Sequence, residues 1–216
     1  YKKKYSKTHK RTRIMKTKIC GLDPTRDVQL CIDCGVNYLG FVFYEKSPRN
    51  VSLAKVKILS SYNKKSSAFV AVTVDPSDEF IKTTLIGNFD YIQLHGSETK
   101  QRVTEIKNMG FKVIKAIKVN EEKDIDKYKK FDNADIILFD TPGMERSLEF
   151  PKNLITKLPI GAKYALAGSI SEYNVEFISK LGVNFFDLSS SLESQLGYKD
   201  HHKIKSFINK INELKN

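Results

Sequence analysis

The sequence lacks the long apolar segments of membrane proteins and the paired cysteines of secreted domains. No run approaches the roughly 18 consecutive apolar residues of a membrane-spanning helix, and no apolar segment follows the basic N-terminal stretch as it would in a secretory signal. The three cysteines are an odd number without the spacing of a disulfide framework, which is typical of a reducing compartment. These absences predict a cytoplasmic protein with no membrane partner.

The formal charge of +12 is unevenly distributed along the chain. Eight lysines and arginines lie within residues 1–16, a stretch that contains no acid, and removing them leaves +4 for the rest. We therefore interpret residues 1–15 as a basic, disordered extension, with a nucleic-acid arm or an organelle-targeting segment as the alternatives. Because the basicity is mostly confined to this tail, we expect no nucleic-acid partner for residues 16–216.

Residues 16–216 alternate short apolar runs with longer segments of helical period, which is the pattern of repeated βα units. The strands are predicted at 16–21, 38–44, 67–74, 91–95, 112–119, 135–140, 163–167 and 184–189. The helical segments are predicted at about 24–28, 53–62, 77–86, 98–109, 121–131, 152–157, 172–181 and 200–215. Almost continuous apolar runs, such as Tyr38 to Tyr44, indicate strands buried on both faces, as in parallel sheets.

Eight such units in a chain of this length predict a single α/β domain, a (β/α)8 TIM barrel of eight parallel strands. An open doubly wound sheet is the alternative, since eight repeats do not by themselves prove closure. No Gly-x-Gly-x-x-Gly motif follows a predicted strand to favour a dinucleotide-binding sheet. In a barrel the chemistry lies at the carboxyl ends of the strands, which is where the polar motifs of this chain fall.

Two side chains at strand ends have the chemistry of a base and an acid. Cys20 ends the first strand, and strand alternation places Lys18 on the same face, where its charge favours the thiolate. Asp140 follows four apolar residues, and partial desolvation at the strand end is expected to raise its pKa. The alternatives are a small buried apolar role for Cys20 and a turn-initiating role for Asp140.

Cys31 and Cys34 form a C-x-x-C motif within the first helix. The chain offers no second ligand pair, and the motif is not at a helix N-terminus, so we interpret both as ordinary thiols rather than zinc ligands or a redox pair. We predict no metal site.

Three further polar side chains follow strands two and four. Arg49, in a Ser-Pro-Arg loop, has the planar fork that grips a carboxylate, although a solvated loop arginine is the alternative. Gln93 and His95 share one face of the fourth strand and point toward the barrel interior or its mouth. A ligand contact and a satisfied structural histidine are both open for His95.

Small residues follow the last two strands, at Ala167-Gly168-Ser169 and at Ser189-Ser190-Ser191. Their backbone N–H groups can approach an anion closely, and barrels often bind phosphate between these two loops. The pattern predicts a phosphorylated small-molecule substrate, although tight loops also use small residues for steric reasons alone.

Lys18-Ile19-Cys20-Gly21, Gly40 to Tyr44 with Lys46-Ser47-Pro48-Arg49, and Gln93-Leu94-His95-Gly96 together resemble phosphoribosylanthranilate isomerase of tryptophan biosynthesis. The order and spacing match along nearly all of residues 16–216. Asp187 to Glu193, followed by Gly197-Tyr198-Lys199-Asp200, is similar to the family's Asp-Val-Ser-Ser-Gly-Val-Glu stretch and the Pro-Gly-x-Lys-Asp after it.

The resemblance implies an Amadori rearrangement of N-(5-phosphoribosyl)anthranilate to 1-(2-carboxyphenylamino)-1-deoxyribulose 5-phosphate, without metal or organic cofactor. It also implies Asp140 as the general acid at the furanose ring oxygen and Cys20 as the base at the C2 proton. Arg49 would hold the anthranilate carboxylate, and Asp187 would lie near the sugar hydroxyls. The phosphate would lie on the backbone of Gly168, Ser169, Ser190 and Ser191. A monomer and a homodimer are both open.

Three positions depart from the usual family sequence. Ser169 and Ser191 each stand where the family usually has glycine, and residues 142–147 replace a Gly-Gly-x-Gly loop after the sixth strand. A Cβ at either serine would crowd the phosphate, whereas its hydroxyl would add a donor. Two other functions stay open: a barrel enzyme acting on a different sugar phosphate, and an inactive barrel that binds nucleic acid through its basic arm.

Overall fold

Eight strands form the centre of the protein, a computed structural model that describes residues 14–143 and 148–215. They are β1 Lys16–Cys20, β2 Tyr38–Phe43, β3 Ala68–Thr73, β4 Tyr91–Leu94, β5 Lys112–Lys118, β6 Ile136–Asp140, β7 Tyr164–Leu166 and β8 Phe185–Leu188. All pair in parallel in this order, and β1 pairs with both β2 and β8, so the sheet is closed. The predicted (β/α)8 barrel is confirmed, and each strand lies within its predicted range.

Helical segments follow the strands. The α-helices are α1 Val28–Asp33, α2 Asp78–Phe80, α3 Lys100–Asn108, α4 Glu122–Ile125, α5 Lys152–Ile155, α6 Val175–Lys180 and α7 His201–Lys215. The 3₁₀ segments are Leu53–Ser61, Asp126–Phe131 and Ser190–Leu192, and Ile81–Leu85 is a π-helical turn. A hairpin of β9 Glu193–Gln195 and β10 Tyr198–Lys199 stands between β8 and α7.

The first helix differs from its prediction, because α1 begins at Val28 and residues 24–27 form a turn. The side chain of Asp27 explains the difference. This carboxylate is fully buried and accepts hydrogen bonds from the backbone N–H of Asp23 and from the side chain of Arg26, and it contacts the His201 ring at the start of α7. It therefore ties the turn to the end of the chain instead of continuing a helix. Cys31 is buried within α1 and packs in the core.

The apolar core has two layers, as expected for a barrel whose interior is filled. The larger layer lies between the sheet and the helices around it. The smaller layer lies inside the barrel and consists of inward-facing side chains, among them Tyr38, Val42, Val70, Val72, Ile114, Ala116, Ile136, Leu138, Ala165 and Phe185. Stacked rings of Tyr38 and Phe185, with centroids 5.0 Å apart, are part of this interior. Polar side chains near the carboxyl ends of the strands therefore lie above an apolar floor.

The predicted extension falls mostly on residues 1–13, which lie outside the described residues. Of its last two residues, Met15 is buried in the core with 4% of its surface exposed, so the barrel includes at least this residue. Within the described parts of the chain, no helix is both long and apolar enough to cross a membrane.

Candidate active site

A cavity of about 360 Å³ opens at the carboxyl ends of the strands, a volume suited to a small-molecule ligand. All ten residues that the sequence singled out for catalysis or binding line it: Cys20, Arg49, Gln93, His95, Asp140, Gly168, Ser169, Asp187, Ser190 and Ser191. They reach it from six different strands or the loops that follow them. The structure therefore places all ten predicted residues around one cavity.

A buried ion pair lies beside this cavity. Lys18 and Asp187 are opposite each other in the register of β1 and β8, and Nζ donates to both carboxylate oxygens at 3.0 Å. Only 1% of the Lys18 side chain and 6% of that of Asp187 are exposed. Burial alone would lower the pKa of Lys18, but the Asp187 carboxylate and the Cys20 sulfur more than offset it and the pKa is raised. Lys18 therefore carries a positive charge inside the barrel at neutral pH.

Cys20 has a raised pKa, so the expected net shift toward thiolate is wrong in sign. Burial is the largest cause, and the charge of Asp187 adds to it. Lys18 and Lys199 act in the expected direction but do not outweigh the desolvation. The sulfur is a thiol in the ligand-free site at neutral pH, and a strong base once it loses its proton.

Asp140 behaves as the sequence predicts. It ends β6, and burial followed by repulsion from Asp187 raises its pKa from 3.8 to about 7. The Thr141 N–H, Lys18 and Lys118 oppose this shift only in part. Asp187 has a cation at 3.0 Å, whereas no ion-pair partner is found for Asp140 among residues 14–143 and 148–215. This carboxyl can therefore hold a proton near neutral pH and donate it.

Arg49 is held by an acid that sequence reasoning missed. Its Nε donates to Glu193 Oε1 at 2.6 Å and its Nη2 to Oε2 at 2.8 Å, and the two side chains are 6% and 5% exposed. Lys199 Nζ, which is fully buried, donates to the same Oε1 at 2.8 Å. The alternative of a solvated loop arginine is wrong. Both missed residues, Glu193 and Lys199, lie in the C-terminal segment that resembles the family, which was the available signal for them.

Gln93 and His95 lie side by side in the cavity wall, with the Gln93 amide nitrogen in contact with the Nε2 of His95. Burial, together with the charges of three lysines, lowers the pKa of His95 to about 3, so the imidazole is neutral. Among the described residues and atoms, the buried Oε1 of Gln93 has no hydrogen-bond partner. A hydrogen-bond donor of a ligand in the cavity would give the Oε1 of Gln93 a partner.

The backbone of the loop after β7 lies close to other parts of the chain. Gly168 has φ of +115°, and a Cβ there would lie 3.1 Å from both the Leu148 carbonyl oxygen and the Thr141 hydroxyl. Ser169 has φ of +47°, a left-handed conformation that favours the glycine usual at this position. The Asn174 side chain accepts from the Ser171 N–H at 2.8 Å and donates to the Ser169 carbonyl at 3.0 Å. The loop is thereby held in shape around the cavity.

The altered loop after β6 is described only in part. Thr141 and Gly143 line the cavity, and residues 144–147 lie outside the described residues. Within the part of the chain that the structure covers, no cluster of three or more histidine, cysteine or acidic side chains could hold a metal ion.

We expect Asp140→Asn to stabilise the protein at pH 8. A pKa raised to about 7 in the folded state means that the carboxyl's contribution to stability is fully present below about pH 4 and is lost as pH rises through 7. Asparagine cannot ionise, so the free energy of unfolding at pH 8 should exceed that of the wild type by on the order of 2–4 kcal/mol. Denaturant titrations at pH 8 and pH 4 measure this difference, which should be small at pH 4.

Asp124→Asn is the control of opposite sign. Hydrogen bonds from Lys127 and from the N–H groups of Asn120 and Glu121 lower the pKa of Asp124 to about 2. Its contribution is present at pH 8 and lost in acid, so this variant should be less stable than the wild type at pH 8. If Asp140→Asn also lowered the free energy of unfolding at pH 8, Asp140 would not be a desolvated carboxyl without an ion-pair partner.

Comparison with known proteins identifies the family. The family described as N-(5'-phosphoribosyl)anthranilate (PRA) isomerase matches residues 17–210. The N-(5'-phosphoribosyl)anthranilate isomerase of Caulobacter vibrioides is 35% identical over 92% of this chain and 96% of its own.

Two solved structures have the same fold. The phosphoribosyl anthranilate isomerase of Thermotoga maritima superposes with a TM-score of 0.82 at 26% identity, over 93% of this chain and all of its own. A phosphoribosyl anthranilate isomerase in complex with reduced 1-(o-carboxyphenylamino)-1-deoxyribulose 5-phosphate gives 0.78 at 27% identity, with the same coverage. Since the match spans nearly the whole barrel and the predicted family is confirmed, this chain belongs to the N-(5'-phosphoribosyl)anthranilate isomerase family.

Proposed function

We propose that this enzyme of tryptophan biosynthesis isomerises N-(5'-phosphoribosyl)anthranilate with Asp140 as general acid and Cys20 as general base. The observation that carries the assignment is the pairing of two groups in one cavity, a carboxyl whose pKa is about 7 and a thiol at the end of β1. The acid can be protonated at the pH at which it must act, and the thiolate, once formed, is a strong base. The family membership supports the same reaction.

The reaction begins at the furanose ring oxygen. Asp140 gives its proton to this oxygen as the bond between the oxygen and C1 breaks, and the nitrogen lone pair forms the C1=N bond of a Schiff base. The Cys20 thiolate then removes the C2 proton, and the electrons of the C–H bond form an enol conjugated with nitrogen. Cys20 returns its proton to C1 and the Asp140 carboxylate accepts the proton of the C2 hydroxyl, which gives the ketone and restores the thiolate and the protonated acid. C2 is oxidised and C1 reduced within one molecule, so no external oxidant or cofactor is required.

Two cations oppose, in part, the effect of burial on the pKa of Cys20. Lys18 and Lys199 both lower it, so each stabilises the thiolate relative to the thiol in the same buried site. Lys18 itself is held by Asp187, at 3.0 Å from each oxygen. In this proposal Asp187 lies near the sugar hydroxyls and also anchors the cation beside the base.

The other residues of the cavity bind the substrate. Arg49 offers a cation to the anthranilate carboxylate, and the neutral His95 and the amide of Gln93 offer hydrogen bonds to the sugar. The phosphate lies on the loops after β7 and β8, at Gly168, Ser169, Ser190 and Ser191, where backbone N–H groups approach an anion closely. The relative that carries a phosphorylated ligand supports a small phosphorylated substrate for this chain. A monomer or homodimer, and a cytoplasmic location, stay predictions.

The direct test is the loss of phosphoribosylanthranilate fluorescence when the purified protein is added. Turnover, together with growth of a tryptophan auxotroph that lacks this isomerase, is the expected result. Absence of both would favour a barrel enzyme for a different sugar phosphate.

We expect Cys20→Ala to lower kcat by at least about a hundredfold, because a positioned base contributes that much or more. Binding of the reduced product analogue should largely survive, since the change removes one sulfur atom. Cys34→Ala is the matched control, because Cys34 directly follows α1 and does not line the cavity, so this variant should keep nearly full turnover. Loss of analogue binding along with turnover would assign Cys20 a packing role, and the base would lie elsewhere.

We expect inorganic phosphate to compete with the substrate, and Ser169→Gly and Ser191→Gly to weaken this competition. Both serines line the cavity, and loss of a hydroxyl donor to an anion should raise the inhibition constant of phosphate about tenfold. Ser171→Gly is the control, since Ser171 belongs to the same loop as Ser169 but does not line the cavity. Tighter phosphate inhibition in the glycine variants would mean that the serine side chains crowd the anion instead.

A further inference from the structure

We propose that Glu193 is a positioning residue that orients Arg49 toward the anthranilate carboxylate, an inference that rests on the proposed function of Arg49. Arg49 lines the active-site cavity, whereas Glu193 lines a neighbouring pocket that shares Ser190 and Ser191 with it, so the proposed role of Glu193 is exerted through Arg49. The guanidinium is planar, and its Nε and Nη2 both donate to the Glu193 carboxylate, at 2.6 and 2.8 Å. Two parallel hydrogen bonds of this kind define the plane of the fork and the direction that it faces.

The chain on both sides of this ion pair is shaped to hold it. Gly21 has φ of +75°, and a Cβ there would lie 2.5 Å from Arg49 Cδ, so the missing side chain makes room for the arginine stem. Gly197, in the turn between β9 and β10, has φ of +80° and would place a Cβ 2.9 Å from the Pro48 carbonyl oxygen. Its N–H donates to Glu193 Oε2 at 3.3 Å. The hairpin therefore packs against the loop that carries Arg49, and its own backbone steadies the Glu193 carboxylate.

Lys199 adds a second positive charge to the ion pair of Arg49 and Glu193, so Arg49 can attract an anion while it is paired with a carboxylate. Glu193 pairs with both Arg49 and Lys199. Burial lowers the pKa of Lys199 while Glu193 opposes the shift, and with Lys199 protonated these three buried side chains together carry a net charge of +1. Lys199 also donates to the Ser189 carbonyl at 3.1 Å, and the Ser189 hydroxyl donates to the Cys20 carbonyl at 3.1 Å. The cluster thus connects the arginine to the strand end that carries Cys20.

The test compares two ligands that differ in one group. One is the reduced product analogue that carries the carboxylate, and the other is the phenylamino counterpart without it. Glu193→Gln should weaken binding of the first about tenfold, the usual effect of a lost hydrogen bond to a charged group, and leave the second unchanged. KM for the substrate should rise by about the same factor as the dissociation constant of the carboxylate ligand, and kcat should change much less. A general loosening of the fold would weaken both ligands alike, and that result would overturn the proposal.

Two further variants separate positioning from stability. Glu193→Gln leaves two buried cations without their carboxylate, which destabilises the fold. The double variant Glu193→Gln with Lys199→Met keeps the net charge of the cluster at +1 and is measured in parallel. The same selective loss for the carboxylate ligand is expected. Asp135→Asn is the matched control, because Asp135 accepts from Lys107 and from the Val113 N–H at the opposite end of the barrel. It should alter binding of neither ligand.

The Arg49→Ala background distinguishes the two proposals. If Arg49 holds the carboxylate and Glu193 acts through it, Arg49→Ala should remove the preference for the carboxylate ligand, and Glu193→Gln should add nothing further. An Arg49→Ala variant that keeps the full preference would refute the proposed function of Arg49. An Arg49→Ala variant that loses it, beside Glu193 variants that keep it, would overturn the positioning role alone.

Discussion

The ion pair between Lys18 and Asp187 is the interaction on which the proposed acid and the proposed base of this site depend. A charge inside the barrel is tolerated only with a close partner, and here the register of β1 and β8 places the two residues opposite each other, with Nζ at 3.0 Å from both oxygens. Burial raises the pKa of Asp187 although Lys18 and Lys199 oppose the shift, and the negative charge of the ionised carboxylate raises the pKa of both Cys20 and Asp140. The pair therefore contributes to the electrostatic field at both the proposed acid, Asp140, and the proposed base, Cys20.

Two carboxylates in one cavity have different chemistry because only one of them has a cation in contact. Asp187 accepts two hydrogen bonds from Lys18, whereas Asp140, desolvated and repelled by Asp187, has a pKa of about 7. Burial raises the pKa of Asp187 as well, but Lys18 opposes that shift, whereas repulsion from Asp187 adds to the shift of Asp140. The same burial also raises the pKa of Cys20, which makes the thiolate scarce but more basic. Desolvation thus helps the acid directly and leaves the base dependent on the lysines beside it.

The features predicted from the sequence are those that depend on local pattern. Continuous apolar runs such as β2 locate the strands, and because parallel strands all end on one rim, Cys20, Asp140 and Asp187 were expected in one site. The missed features depend on residues that are distant in the chain. Glu193 lies 144 positions from Arg49, and the net shift of Cys20 depends on neighbours from several elements. The turn at Asp27 is likewise set by α7, 174 positions away, so no local propensity indicates it.

Cys20 stands between two buried charge clusters, and their different net charges suit different tasks. The Lys18 and Asp187 pair is neutral overall. The cluster of Arg49, Glu193 and Lys199 carries one positive charge, which a substrate carboxylate can neutralise. In the ligand-free site Lys199 lowers the pKa of Cys20, and an anion bound at Arg49 would weaken that influence. On the proposed roles of Arg49 and Cys20, the negative charge of a carboxylate bound at Arg49 would therefore make the Cys20 thiolate a stronger base for the C2 proton.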